Sequence, residues 1–423
     1  MLHPATDILK KVVEKTGTPV MIYDEERIRT RISEYLDNFK SDKFETRVLY
    51  ASKAFCSGYT ARMANEAGMY FDCVSGGEVY CLTTNGVPVS KLYFHGNNKT
   101  PREITEYLGK GRGHIVVDNA DELGLIAKIA EEEGKPADIL VRVNPGVEAH
   151  THEYIATATK DSKFGISIDK KDEILEMVET VNASSQLEFQ GFHAHIGSQI
   201  FAASSFEGEI QAMFDFIEEM VKAHGVTVNE LDLGGGFAIQ YTDADDPDDI
   251  PTVCKRMITN CECQMETRGL DIKIICIEPG RSLVGDSGYT IYTAGCRKKT
   301  DSKEYLFIDG GMADNIRPAL YGAEYQCTNL TRETEPATKN YVIAGKCCES
   351  GDVIIKEAPL PESYPGDLIL VYSTGAYGYS MASVYNKLGR PPVVFVNGDS
   401  ARVVLKREDY KELEALETNE SIF

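Results

Sequence analysis

No stretch of this sequence approaches the roughly 18 apolar residues that a membrane-spanning helix needs. Positive charge is scarce too: 44 Lys and Arg stand against 66 Asp and Glu, a formal net charge of -22. That balance argues against nucleic acid or an anionic membrane surface as a partner. It also means that an anionic ligand must be met by locally placed arginines. The opening residues, Met1-Leu2-His3-Pro4, lack the basic-then-apolar order of a signal peptide. The 11 cysteines never show the paired two-residue gaps of a zinc site, and neither Cys261-Glu262-Cys263 nor Cys347-Cys348 supplies them. Free thiols in a reducing cytoplasm are therefore expected, with no metal. Repeats and low-complexity segments are missing, apart from an acidic loop at Asp243–Asp249.

What is present is ordinary globular material: 423 residues, 42% hydrophobic and 26% charged, enough for two or three domains. From about residue 45 to 278, short β-rich runs alternate with helical patterns. The expected strands are Arg47–Ala51, Tyr70–Cys73, Leu92–Phe94, Ile115–Asp118, Ile139–Val143, Phe189–His193, Glu230–Leu233 and Ile274–Ile277. Between them, Leu123, Ile126, Ala127 and Ala130 repeat at helical spacing, as do Ile210, Met213, Phe214, Ile217, Met220 and Val221. Gly134 and Gly225 stand where left-handed C-caps belong. Eight β-then-α units predict a closed parallel barrel. A doubly wound open sheet is the rival, but it carries its glycine-rich turn after the first strand, and here glycines cluster after the seventh. The texture changes after Arg281: strand-like runs at Tyr289–Cys296, Glu304–Asp309, Tyr341–Gly345, Leu368–Ser373, Val393–Asn397 and Val403–Lys406 have no long helical pattern between them. The expected fold is α/β, a (β/α)8 barrel over residues 31–280 followed by a mostly antiparallel β domain over 281–423. The N-terminal segment 1–30 is expected to pack with that second domain.

In a barrel, every strand's C-terminal end faces the working side. Lys53 follows the first strand in Leu49-Tyr50-Ala51-Ser52-Lys53-Ala54-Phe55. A lysine so placed can be held neutral by burial and attack carbonyls, although lysine is also a common surface residue. Ser75-Gly76-Gly77-Glu78 follows the second strand and His95-Gly96-Asn97-Asn98-Lys99 the third. The sixth ends in His193-Ala194-His195-Ile196-Gly197-Ser198-Gln199, the seventh in Gly234-Gly235-Gly236, and the eighth in Glu278-Pro279-Gly280-Arg281. Three consecutive glycines let backbone N–H groups approach a phosphate, to which Ser198 could add a hydroxyl; a tight structural turn explains the same triplet. His195 could lie over a flat aromatic cofactor, or be a satisfied core histidine. Glu278 needs a cationic partner if buried: a protonated pyridine nitrogen is one candidate and Arg142 the plainer one. The long polar stretch between Val143 and about Leu187, opening Asn144-Pro145-Gly146, also leaves from a strand's C-terminal end.

Together, Tyr50-Ala51-Ser52-Lys53-Ala54, His193-x-His195-Ile196-Gly197-Ser198-Gln199, Gly234–Gly236 and Glu278-Pro279-Gly280-Arg281 resemble the pyridoxal-phosphate decarboxylases built on the alanine-racemase barrel. Phe94-His95-Gly96-Asn97-Asn98-Lys99, Gly146-Val147-Glu148-Ala149-His150-Thr151-His152, Met312-Ala313-Asp314-Asn315-Ile316-Arg317-Pro318-Ala319-Leu320-Tyr321, Cys348-Glu349-Ser350-Gly351-Asp352 and Gly375-Ala376-Tyr377-Gly378-Tyr379-Ser380-Met381 narrow the resemblance to the diaminopimelate decarboxylase family. It spans about residues 17–410. It implies that Lys53 holds pyridoxal 5'-phosphate covalently, that His195 stacks on the ring, and that Glu278 pairs with the ring nitrogen. Gly234, Gly235, Gly236, Ser198, Gly280, Arg281 and Tyr377 would complete the cofactor site. Arg281, Arg317, Tyr321 and Tyr377 would bind the substrate's far carboxylate end and Glu349 its far ammonium, with Cys348 the catalytic thiol beside Cα. Cys348 and Glu349 would serve the other subunit of a homodimer. Two segments depart from the family pattern: Ser383-Val384-Tyr385-Asn386 and Leu388-Gly389-Arg390-Pro391-Pro392.

The implied reaction is decarboxylation of meso-2,6-diaminopimelate to L-lysine and carbon dioxide, the last step of lysine synthesis. The alternatives are a same-fold decarboxylase of ornithine, arginine, carboxynorspermidine or a carrier-bound amino acid, a racemase, and a homologue without catalysis. A racemase needs a base on the cofactor face opposite the lysine, where Cys348 stands here.

Overall fold

The computed structural model describes residues 3–147 and 162–422. The Glu148–His152 part of the motif named above lies outside them. The chain forms two compact units, one of residues 31–239 and 246–283, the other of 1–30, 240–245 and 284–423.

The first unit is a barrel. Its eight strands are Glu45–Ala51, Tyr70–Cys73, Leu92–Phe94, His114–Val117, Ala137–Asn144, Leu187–His193, Glu230–Asp232 and Ile274–Ile277. Each pairs in parallel with the next, and Ile274–Ile277 closes on Glu45–Ala51 through Ile274 opposite Glu45 and Ile277 opposite Val48. The open-sheet alternative is thereby excluded. The strands are nearly continuous apolar runs because both faces are covered. Leu49, Tyr93, Val116, Leu140 and Cys276 pack together as one part of this core.

Local chemistry starts the helices where the strands stop. Ser57, Ser75 and Asn119 each accept the backbone N–H three residues on, and Thr100 forms a reciprocal capping box with Glu103. Gly134 and Gly225 adopt left-handed C-caps, at φ 62° and 70°, as the sequence predicts. Short, capped βα turns hold the strand ends in fixed positions, and those ends carry the polar residues.

The second unit is built on a nine-stranded sheet. Val20–Asp24 runs antiparallel to Gly288–Lys299 and parallel to Val393–Asn397. Most of the other pairings are antiparallel, the exception being Glu304–Ile308 with Lys339–Ala344. The strands Cys327–Asn329 and Val353–Leu360 were not expected from sequence. The first has three residues, and the second alternates buried and exposed positions irregularly. Ile8, Leu9 and Val12 of the first helix (Thr6–Thr16) pack with Ile22, Tyr289, Ile291, Leu370 and Val394.

This unit carries a buried acid whose titration is measurable. Burial, reinforced by Asp309 and Asp352, pushes the Asp314 carboxyl up to about 7. A carboxyl with a raised folded-state pKa favours the protonated fold. Its contribution is complete below the unfolded value near pH 4 and is lost as pH rises to about 7. Asp314→Asn should remove that slope. Thermal scans between about pH 4 and pH 7 should find the variant gaining on wild type, by at most about 4 kcal/mol at the upper end. Parallel curves would exclude the assignment.

Candidate active site

Six barrel strands deliver a polar residue to one chain of contacts at their C-terminal ends. Lys53, in the turn Ser52–Ala54 after the first strand, places Nζ 3.2 Å from Asp72 Oδ2 of the second. Asp72 Oδ1 lies 3.8 Å from His95 Nε2, just past the third. His95 Nε2 in turn lies 2.7 Å from Glu278 Oε1, just past the eighth. That contact is at ion-pair distance. His193, ending the sixth strand, reaches Glu278 Oε2 at 3.3 Å. Asp232, ending the seventh, completes the group. All except Lys53 are buried.

The charges in this cluster sort themselves. Burial pushes His193 down to about 3, so at neutral pH it is an uncharged donor through Nε2–H. Burial works against a charge on Glu278, but His95 and His193 more than offset it and hold its carboxyl well below the usual range. Asp232 moves the other way, driven up by burial and by the charge on Glu278. Of two neighbouring carboxyls, one therefore keeps the charge and the other the proton.

Beside this floor lies the glycine turn. A Cβ on Gly235 would sit 2.1 Å from the Glu278 carbonyl oxygen, and one on Gly236 (φ 108°) 2.4 Å from that of Gly197. Neither position tolerates a side chain, so backbone amides line the surface. The Gly235 N–H donates to His195 Nδ1 at 3.2 Å, which leaves the imidazole proton on Nε2. Burial, with the nearby charge of Lys53, lowers the His195 pKa well below its ordinary value, keeping the ring neutral. The Gly236 N–H makes no hydrogen bond to the described residues. Ser198 Oγ accepts from the Arg281 guanidinium, at 2.8 Å from Nη2. Gln199, held at φ 61°, clasps both backbone groups of Ile239. Gly280 packs on Ala51 and Ala54, beneath the Lys53 turn.

In the second unit, Arg317 opens the short helix Arg317–Tyr321 and is 7% exposed. Its Nη1 donates to Tyr325 Oη at 2.6 Å and Tyr241 Oη at 3.0 Å, and its guanidinium carbon lies 6.0 Å from the Tyr377 ring centroid. Among the described residues no carboxylate pairs with it. Tyr377 holds φ at 60°, a strained value for a tyrosine. Tyr321, Cys348 and Glu349 are exposed. The loop bearing the last two is set by buried Asp352, which accepts the N–H groups of Met312 and Cys347 at 2.7 and 2.8 Å.

Sequence reasoning gave Glu278 a ring nitrogen or Arg142 as partner. The groups in contact with it are His95 and His193, while Arg142 stacks on Phe164 with its carbon 4.7 Å from the ring. His95 appeared in sequence only as part of a motif, and Asp72, His193 and Asp232 were assigned no role. The signal that finds them is a polar residue at the C-terminal end of an otherwise apolar barrel strand. Lys99 was likewise passed over. Buried, it ties the His95 loop down through Gly96 O at 2.9 Å, Val116 O at 2.7 Å and Glu122 at 3.1 Å.

These residues fit pyridoxal phosphate. Buried carboxylate oxygens of Asp72 and Glu278 have no hydrogen-bond partner among the described residues, as a protonated ring nitrogen requires. His95, His193, Asp232 and Glu278 also place ligand atoms within 4.8 Å of one another, as a cation would need. The adjoining amide cradle and Lys53 favour a ligand that has both a phosphate and an amine-reactive carbonyl.

Comparison with known proteins agrees. The profile of the family described as "Pyridoxal-dependent decarboxylase, pyridoxal binding domain" matches residues 25–285. The diaminopimelate decarboxylase of Halalkalibacterium halodurans is 43% identical over 95% of this chain and 91% of its own. The crystal structure of the M. jannaschii diaminopimelate decarboxylase with L-lysine is 32% identical, with a TM-score of 0.88 over 96% of this chain and 93% of its own. That of the Helicobacter pylori enzyme with L-lysine is 31% identical, with a TM-score of 0.87 over 96% and 98%. With the barrel, the lysine turn and the carboxylate floor in place, this chain belongs to the pyridoxal-dependent decarboxylases, and among them to the diaminopimelate decarboxylases.

Proposed function

We propose that this protein decarboxylates meso-2,6-diaminopimelate to L-lysine and carbon dioxide, using pyridoxal 5'-phosphate and working as a homodimer. The observation that carries the substrate reading is Arg317, a buried guanidinium with phenol partners and no carboxylate among the described residues. A buried cation in that state is completed by an anion, and the guanidinium fork suits a carboxylate. Diaminopimelate has a second carboxylate far from the one it loses; ornithine and arginine do not.

When bound, the cofactor supplies a conjugated electron sink for the charge left at Cα. The chain's residues then have separate tasks. Lys53 offers its amine to the cofactor carbonyl, and Asp72 Oδ2 accepts its hydrogen bond and orients it. Glu278, kept ionised by its histidines, holds a proton at the ring nitrogen. His195, its tautomer set by Gly235, supports the ring face. Ser198, Gly234, Gly235, Gly236, Gly280 and Tyr377 hold the phosphate. Arg281, which donates to Ser198, serves both that cradle and the substrate's far carboxylate. Arg317 and Tyr321 receive the far carboxylate, and Glu349 the far ammonium. Cys348 delivers a proton to Cα after carbon dioxide leaves. The exposure of Cys348 and Glu349 supports their serving a second copy of the chain. The L-lysine held by the M. jannaschii and H. pylori relatives supports the expected product.

Assay of the purified protein with meso-diaminopimelate, ornithine, arginine and carboxynorspermidine tests the reading, and faster turnover of ornithine overturns it. Glu278→Gln should keep the bound cofactor's absorbance while turnover falls about 10²- to 10³-fold, the cost of one preorganised charge. Stopped-flow spectra together with carbon dioxide release measure both. Unchanged turnover would remove Glu278 from the mechanism.

A further inference from the structure

A buried carboxylate stands between two loops of the second unit, one leading to Arg317 and the other bearing Cys348 and Glu349. Asp352 is 3% exposed, and among the described residues no cation pairs with it. Its oxygens go to backbone instead: Oδ1 accepts the Met312 N–H at 2.7 Å and Oδ2 the Cys347 N–H at 2.8 Å. Glycines make room for it, since a Cβ on Gly311 would fall 2.5 Å from the carboxylate and one on Gly345 would also collide with it. The loops meet once more where the Lys346 N–H donates to Gly310 O at 2.9 Å. From this clamp, short bonds lead to the functional side chains of each loop. On one, Gly311 O accepts the N–H groups of Asp314 and Asn315, both at 3.0 Å, and Asn315 Oδ1 accepts that of Arg317 at 3.3 Å. On the other, the Glu349 N–H donates to Cys347 O at 2.8 Å, and Glu349 O accepts the Asp352 N–H at 3.1 Å.

We propose that Asp352 is a positioning residue that fixes the Arg317 loop and the Cys348–Glu349 loop to each other, so that one side chain sets two active sites of the homodimer. This rests on the reading above, in which Arg317 serves the site of its own subunit while Cys348 and Glu349 serve that of the other. Hydrogen bonds to an ionised acceptor are the strong ones, and a buried N–H that loses its acceptor keeps its full desolvation cost. The carboxylate therefore holds both loops at once, and removing it frees both. The two consequences differ in kind. A displaced Arg317 weakens the grip on the far carboxylate, which is lost binding and reads in KM. A displaced Cys348 moves the proton donor away from Cα, which is lost alignment and reads in kcat.

The test uses hybrid dimers purified from two differently tagged subunits, one carrying Lys53→Ala, so that a single active site works. With Asp352→Ala placed in the Lys53 subunit, KM for meso-diaminopimelate should rise about 10- to 10²-fold while kcat holds. With Asp352→Ala placed in the Lys53→Ala subunit, kcat should fall by a similar factor while KM holds. A purely structural aspartate gives the same loss from either subunit; that result, or a loss from only one of them, overturns the proposal. Cys348→Ser separates this failure from failure of the shared-site reading. It should silence the dimer when carried by the Lys53→Ala subunit; if it does so only from the Lys53 subunit, the shared site falls and the proposal with it. Should Asp352→Ala not fold, residue-resolved hydrogen exchange on the wild-type holoenzyme decides. The Met312 and Cys347 amides should then share one protection factor, and independent opening of the two overturns the proposal.

Discussion

Lys53→Ala is expected to give a folded protein that stays colourless with pyridoxal phosphate and decarboxylates at least about 10³-fold more slowly than wild type. The side chain is 44% exposed, so truncation leaves no cavity and should not lower the melting temperature. What it removes is the amine that the barrel presents beside Asp72 and the carboxylate floor. Wild type incubated with the cofactor should show a visible absorbance band, absent from the variant, with carbon dioxide release falling in step. A wild type that remains colourless after cofactor addition would sink the assignment. So would a Lys53→Ala variant that keeps the band.

Arg317→Met should lower kcat/KM for meso-diaminopimelate by about 10²- to 10³-fold, mainly through KM. That is the effect of truncating one partner of a buried charge pair at 2–5 kcal/mol, or roughly tenfold per 1.4 kcal/mol. The melting temperature should hold or rise. The guanidinium is buried, bonded only to the phenols of Tyr241 and Tyr325 among the described residues, and has no counter-charge there. An uncompensated buried cation costs stability, so an apolar side chain of similar length relieves it. A structural arginine gives the opposite pattern: a melting temperature several degrees lower with KM unchanged. Thermal scans and initial rates on one preparation separate the two.

Much of the barrel was legible because its strands are short apolar runs ended by polar residues. Tyr70–Cys73, Leu92–Phe94 and Ile274–Ile277 have the observed limits. The others differ at their ends by one or two residues, where pairing rather than composition sets the limit. The antiparallel unit was less legible. Cys327–Asn329 has no pattern of its own and becomes a strand by pairing with Leu368–Val371. Residues 240–245 cluster with this unit although they follow a barrel strand. Nothing in their composition announces it.

The candidate site divides along the same line. Lys53, the glycine turn, Ser198, His195 and Glu278 are local motifs, readable because each chemical task needs a particular residue type at a strand end. Sequence alone determined that this chain alternates β and α eight times, carries the lysine at the first strand end, and brings arginines to an otherwise acidic background. Only the tertiary structure decided which groups share a charge. Asp72, His95, His193, Asp232 and Glu278 are scattered over some two hundred residues and touch because barrel closure brings their strand ends together. Contact then sets ionisation: Glu278 is held charged and Asp232 protonated by distances of a few ångströms, which no spacing along the chain encodes.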